Sequence, residues 1–181
     1  MKEIIFAGFG GQGVLTGGLV LAYIASKLEL NPVWMPAYGP SMRGGKANST
    51  VKFGDSPEEK VGNPAMDNAD VLIAMNEPSL EYIEFCKPGA TVFINSHSVP
   101  ADYKLPDGFE EIRIDCVELA EAVGNAKGAN LVMAAAVIKH CKLFDEQFAL
   151  EQMCAFFAEK GKEKFNKLNI AAFQAGYDVV E

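Results

Sequence analysis

Two glycine clusters carry the residues best placed to do chemistry. Gly8-Phe9-Gly10-Gly11-Gln12-Gly13 follows the apolar run Ile4-Ile5-Phe6-Ala7 and precedes Val14 to Leu28, a stretch without proline. This is G-x-G-x-x-G between a strand and a helix, where backbone N–H groups can approach a phosphate or another anion at the positive end of the helix. The same glycines equally allow strand and helix merely to pack closely. A dinucleotide enzyme would also place an acid about twenty residues on, at the end of the second strand, to hold the ribose hydroxyls. That region reads Val33-Trp34-Met35-Pro36-Ala37-Tyr38 and contains no Asp or Glu, which disfavours a nicotinamide cofactor. Gln12 offers an amide to a carbonyl, a phosphate or solvent.

The second cluster, Tyr38-Gly39-Pro40-Ser41-Met42-Arg43-Gly44-Gly45-Lys46, lies at the carboxyl end of the second strand. In an open parallel sheet this is the ligand edge. The spacing is not that of a P-loop: Gly39 and Gly44 are followed by Gly45 where lysine is needed, and the segment leads into a strand. What remains is the planar fork of Arg43, suited to carboxylate or phosphate, with Tyr38 and Ser41 as hydrogen-bonding neighbours. Asn76 follows the apolar run Val71 to Met75, where it either reaches the ligand edge or caps the next helix. Asn130 enters an otherwise apolar helix. Neither a Gly-x-Ser-x-Gly elbow nor a spaced Cys/His pair is present, so the chain carries no evident catalytic apparatus of its own.

Several elements must position these loops. Glu3 to Phe9 reads as a strand, Val14 to Leu28 as a helix apolar almost all round, and Val33 to Met35 as a short strand ending at Pro36. Lys46 to Phe53 alternates strictly, predicting a strand with one wet face. Val71 to Met75 has the continuous apolar character of a central parallel strand, Pro78 starts a helix reaching Cys86, and Lys87-Pro88-Gly89 turns the chain into a strand over Thr91 to Asn95. Glu111 to Asp115 offers a further strand and Val117 to Val123 a short helix. The remainder is helical by pattern: Ala129 to Leu143, a stripe through Leu150, Met153, Cys154, Phe157 and Ala158, and a last helix carrying Phe165, Leu168, Ala172 and Phe173. Alternating strands and helices predict one α/β domain over residues 1–181: a mostly parallel open sheet, Rossmann-like, with helices on both faces and a helical C-terminal end.

Composition bounds the partners. The 181 residues are 49% hydrophobic and 22% charged, enough apolar material for one core, and the net charge is -8. With no basic cluster, a nucleic acid is not an expected partner. The first apolar run is too short for a signal peptide or a membrane span, so the expected location is cytoplasmic and no membrane contact is expected. Cys86, Cys116, Cys141 and Cys154 are widely spaced and form no Cys-x-x-Cys pair, which reads as core thiols and no metal site. His97 and His140 have no neighbouring ligand pattern.

Taken together, the two glycine loops and Asp70-Val71-Leu72-Ile73-Ala74-Met75 resemble the gamma subunit of 2-oxoacid:ferredoxin oxidoreductases, and the likeness extends to Asn130 and to the chain length. The resemblance implies a single gamma-type domain in a heteromeric enzyme that oxidatively decarboxylates a 2-oxoacid, joins the acyl group to coenzyme A and passes electrons to ferredoxin. It implies that thiamine diphosphate and iron–sulfur clusters reside on alpha and beta subunits, with a delta subunit as a further candidate, and that this chain is inactive alone. Its expected role is to pack against the thiamine-bearing subunits and shape the approach of coenzyme A, with ferredoxin met only indirectly. The positions that carry this role are Gly10, Gly11, Gln12, Gly13, Tyr38, Ser41, Arg43, Gly44, Gly45, Asn76 and Asn130, with no catalytic residue among them. A short, unfused chain looks most like the 2-oxoglutarate type, then the branched-chain and then the pyruvate or indolepyruvate types. Charges after Pro57 depart from the family pattern. A free-standing nucleotide-dependent oxidoreductase and a non-catalytic scaffold are the alternative readings.

Overall fold

The computed structural model describes residues 1–39, 44–62 and 67–181. They form two compact units, Met1–Ile114 and Asp115–Glu181. The first is a six-stranded sheet of β1 (Lys2–Phe9), β2 (Val33–Tyr38), β3 (Lys46–Phe53), β4 (Ala69–Ala74), β5 (Cys86–Asn95) and β6 (Glu110–Ile114), joined after β1 by helix α1 (Val14–Lys27). The strand order is β2-β3-β1-β4-β5-β6. Pairings from β1 through β4 and β5 to β6 are parallel, whereas β3 runs antiparallel to both β1 and β2. The expected mostly parallel α/β sheet is therefore present, with one reversed strand inside it.

That reversal decides where the glycine loops fall. Chain order switches sides at β1, and the carboxyl ends of strands flanking such a switch leave a crevice. Because β3 is reversed, its first residues pair with the last of β1: Phe9 lies opposite Lys46 and Gly8 opposite Ala47. Tyr38, ending β2, also lies opposite Ala47. Both glycine clusters thus reach the carboxyl-terminal rim of β1.

Alternation along β1 sends side chains to two covered faces. Phe6 meets α1 so closely that a Cβ on Gly17 would lie 2.3 Å from its ring; only glycine permits that approach. On the other face Ile5, Ala7, Leu72, Ala74, Val92 and Ile94 form a core with Leu80 and Val99. Tyr82, Ile83 and Phe85 pack on it from a 3-10 helix, Glu77–Phe85. Where the sequence predicts an ordinary helix after Pro78, the backbone is wound in the tighter 3-10 form.

Three other expectations are corrected. Strand β3 has no wet face: Asn48 and Thr50 are buried like Ser49 and Val51, because both faces are covered, with α1 against Ser49 and Tyr82 of the 3-10 helix on Asn48. Strand β2 continues through Pro36 to Tyr38, which an edge strand tolerates since its outer N–H groups need no partner. Strand β5 starts at Cys86 and takes in Lys87-Pro88-Gly89, the pairing with β4 shifting register between Ala69 and Val71.

The second unit is helical: α2 (Cys116–Ala122), α3 (Ala129–His140), α4 (Glu146–Glu159) and α5 (Asn166–Asp178). Helix α3 is buried from Asn130 to Ile138, as its apolar composition requires. It lies backbone to backbone with α5, since a Cβ on Gly176 would sit 2.0 Å from the Val132 carbonyl oxygen. Among the described residues no helix is long and apolar enough to cross a membrane.

Candidate functional site at the carboxyl rim

The two glycine loops touch through their backbones. The Gly10 N–H donates to the Gly45 carbonyl at 2.9 Å, and the Gly39 N–H donates to the Lys46 carbonyl at 2.7 Å, closing the base of the β2–β3 connection. Gly11 has φ +106° and Gly44 φ +72°, a region L side chains rarely adopt, yet a Cβ at either would meet nothing within 4 Å. Glycine is needed there for backbone conformation, and among the described residues nothing fills the space above either position. Tyr38 stands at the same rim and is 61% exposed. Ser41 and Arg43, the remaining candidates of this loop, lie outside the described residues.

Side-chain amides tie the rim together. Gln12 Oε1 accepts from the Phe9 N–H at 2.7 Å and from Asn76 Nδ2 at 2.8 Å, while Gln12 Nε2 donates to the Met75 carbonyl at 3.2 Å. An amide offers two acceptor and two donor positions, so three of the four are used inside the protein. Gln12 is a clamp between β1 and β4, holding its own turn through the Gln12 N–H to Phe9 carbonyl bond of 3.1 Å. Asn76 is the cap its sequence position suggests: Oδ1 accepts from the Ser79 N–H at 3.1 Å and from Ser79 Oγ at 2.7 Å. It also spans to Gln12, so capping and the rim are one arrangement.

Some contacts at this rim escaped the sequence. Lys46 binds both carboxylate oxygens of Glu81, at 2.6 and 2.8 Å, and this contact raises the lysine pKa. Asn48 Nδ2 donates to the Tyr82 hydroxyl at 2.8 Å. Asn95, wholly buried, donates to the Met75 carbonyl at 3.1 Å. The only sequence signal for Asn95 was an asparagine closing an apolar strand, the same pattern as Asn76. Asn130 is buried in the first turn of α3 and belongs to the second unit.

Burial favours the protonated form of the Cys86, Cys116 and Cys154 thiols. Burial pushes Cys116 up to about 12, and burial together with the Glu3 carboxylate pushes Cys86 up to about 11. Iron–sulfur ligation needs thiolates, which these environments oppose. Among the described residues no group of three or more His, Cys, Asp or Glu is arranged to hold a metal ion.

A reversed strand beside β1, two mutually bonded glycine turns and an amide-braced rim define an α/β domain built around its carboxyl edge. The chain belongs to the pyruvate ferredoxin/flavodoxin oxidoreductase family, whose sequence pattern matches residues 3–179. It is 35% identical to the ketoisovalerate oxidoreductase subunit VorA of Methanothermobacter marburgensis over 97% of this chain and 36% of that relative. It is 33% identical to the 2-oxoglutarate synthase subunit KorC of the same organism, over 99% of this chain and 96% of that one. The chain therefore spans about a third of the length of VorA but nearly all of KorC. Among solved structures, the gamma subunit of the keto/oxoacid ferredoxin oxidoreductase from Geobacter sulfurreducens superposes with a TM-score of 0.79 at 27% identity, over 98% of this chain and 97% of that one.

Proposed function

We propose that this chain is the gamma subunit of a multisubunit 2-oxoacid:ferredoxin oxidoreductase, a cytoplasmic enzyme that converts a 2-oxoacid to its acyl-coenzyme A thioester with electrons passing to ferredoxin. The observation that carries the reading is the bonded pair of glycine turns, Gly10 to Gly45, with open space above Gly11 and Gly44. Such a rim has backbone amides, a helix N-terminus and room for an incoming surface. Family membership supplies the reaction class, and alpha, beta and optionally delta subunits are the proposed partners. Thiamine diphosphate and the iron–sulfur clusters are assigned to those partners, where they carry the decarboxylation and electron transfer.

What this chain's residues do is bind and orient. The turn at Gly10 to Gly13 sits at the N-terminus of α1, whose dipole favours an anion. With Tyr38, Ser41, Arg43, Gly44 and Gly45 from the β2–β3 connection, it forms the proposed approach for the phosphates of coenzyme A. Gln12 and Asn76 keep that edge in shape; Asn130, in α3 of the second unit, is a separate candidate for coenzyme A binding.

The preferred substrate is 2-oxoglutarate, supported by a chain coextensive with KorC. A branched-chain 2-oxoacid is the second reading, favoured by the slightly higher identity to VorA. Co-expression with the neighbouring oxidoreductase genes tests both. The expected result is a stable complex with coenzyme A-dependent reduction of ferredoxin, fastest with 2-oxoglutarate, and no turnover by the isolated chain. Turnover by the chain alone, or failure to copurify with thiamine-bearing subunits, would defeat the proposal.

A further inference from the structure

The Met75 carbonyl, just past the end of β4, receives two side-chain donors: Gln12 Nε2 at 3.2 Å and Asn95 Nδ2 at 3.1 Å. A carbonyl oxygen has two lone pairs, and these donors fill both. Asn95 Oδ1 accepts from the His97 N–H at 3.2 Å, and its Nδ2 also lies 3.3 Å from Ser98 Oγ. Turning that amide around would set two carbonyl oxygens against each other and an NH2 group against an N–H donor, so its orientation is fixed. A continuous chain of neutral bonds results. It runs from the loop after β5 through Asn95, the Met75 carbonyl and Gln12 to the Phe9 N–H of the glycine turn, with Asn76 bracing Gln12 from the side.

We infer that Asn95 is a positioning residue for the glycine turn. Among the described residues its side-chain hydrogen bonds go to Met75, Ser98 and His97 and none to the glycine turn itself. By holding the Met75 carbonyl in place, it fixes the point on which Gln12 anchors, and Gln12 in turn holds the Phe9-to-Gln12 turn against Gly45. A buried carbonyl that loses one of two donors keeps its desolvation cost and gains freedom to tilt, and the displacement falls on Gln12. The consequence for coenzyme A rests on the function proposed above; the bonding relay does not.

Asn95→Asp tests it, because the change is nearly isosteric and puts a carboxylate oxygen, which only accepts, where Nδ2 donates to the Met75 carbonyl. Hydrogen exchange of the full chain, compared with wild type at one pH, should show the amides of Phe9, Gly10 and Gln12 exchanging about tenfold faster. The lost hydrogen bond alone accounts for about that factor, and the carboxylate oxygen now facing the Met75 carbonyl acts in the same direction. Ile4 to Ala7 in the same strand should keep their protection. Gln12→Glu removes the other donor to the same carbonyl and should give the same local pattern, which keeps the test open if Asn95→Asp folds poorly. In the reconstituted complex, Asn95→Asp should raise KM for coenzyme A about tenfold and leave kcat within about twofold, since a displaced binding edge weakens capture more than chemistry. Equal acceleration of both stretches, no acceleration of either, or selective loosening with an unaltered KM would overturn the inference. A wild-type complex lacking any coenzyme A-dependent turnover, with the local exchange pattern intact, would instead remove the proposed function and leave the relay standing.

Discussion

The inner cross-ties at the two rims of one sheet are of opposite kinds. At the amino-terminal rim the ties are charges: Glu3 Oε2 meets Lys52 Nζ at 2.9 Å with both side chains largely buried, and Asp70 accepts the Glu3 N–H at 2.8 Å while pairing with Lys87. At the carboxyl-terminal rim the ion pair of Lys46 with Glu81 is exposed to solvent, and the inner ties are the neutral amides of Gln12, Asn76 and Asn95. Buried charges fix geometry at a large desolvation cost and impose a local field. Neutral amides fix geometry while leaving the local field to the helix N-terminus and to whatever arrives. An edge meant to receive an anion and a partner surface is better framed by groups that do not compete with either.

The largest expected effect comes from breaking the charged rim. Lys52→Met leaves the Glu3 carboxylate, 4% exposed and with no hydrogen-bond partner for Oε1 among the described residues, without the Lys52 cation. Removing one member of a buried pair costs about 3–5 kcal/mol, which at about 2–4 °C per kcal/mol for a chain of this size lowers Tm by about 6–20 °C. Thermal unfolding measures it, and Glu3→Gln with Lys52→Met should regain most of the loss. A drop below about 1 kcal/mol would mean that the two rims do not differ as described.

A smaller effect on stability, but a larger one on assembly, is expected at the neutral rim. Asparagine tolerates the left-handed backbone that Gly44 adopts, and its side chain would enter open space. Gly44→Asn should cost less than about 1 kcal/mol in unfolding, since Asn pays little for that conformation, yet obstruct the partner or coenzyme A. The checks are copurification and KM for coenzyme A. If Gly44→Asn assembles and turns over normally, the open space is not an interface, and the glycines serve the turn alone.

This contrast was only half visible in the sequence. The strand, glycine turn and helix over the first thirty residues were legible because glycine spacing and apolar run are local signals. The meeting of the two loops followed from placing both at strand ends. The burial of Asn48 and Thr50 was not legible: strict alternation means one wet face only where nothing packs on that face, and the Tyr82 that covers Asn48 comes from a distant segment. The same holds for Gln12, which reads as a solvated loop residue until β4 brings the Met75 carbonyl beneath it. Asn95 needed a third strand in register. The Glu3 and Lys52 pair spans β1 and the reversed β3, a pairing that local periodicity does not encode.

The finest distinction between the rims is their response to alkali. Cys86 opens β5 at the charged rim, where burial and Glu3 push its thiol from 9.0 up to about 11; in the second unit, burial lifts Cys116 to about 12. A raised folded-state value means that the native thiols hold their protons after those of the unfolded chain have left. Their contribution to stability is complete below pH 9 and declines as pH rises through 9 towards 11 and 12. The amides of the carboxyl rim do not titrate in this range. Stability measured by denaturant unfolding should therefore fall between pH 9 and 11, and Cys86→Ala should make that fall shallower. The discount for solvent at the partly exposed Cys86 keeps its share below that of Cys116. Iodoacetamide at pH 8 should leave Cys116 unmodified in the folded chain and label it after unfolding. Rapid labelling of folded Cys116, or an alkaline slope indifferent to both thiols, would show that the charged rim and the helical unit are not protonated as their burial requires.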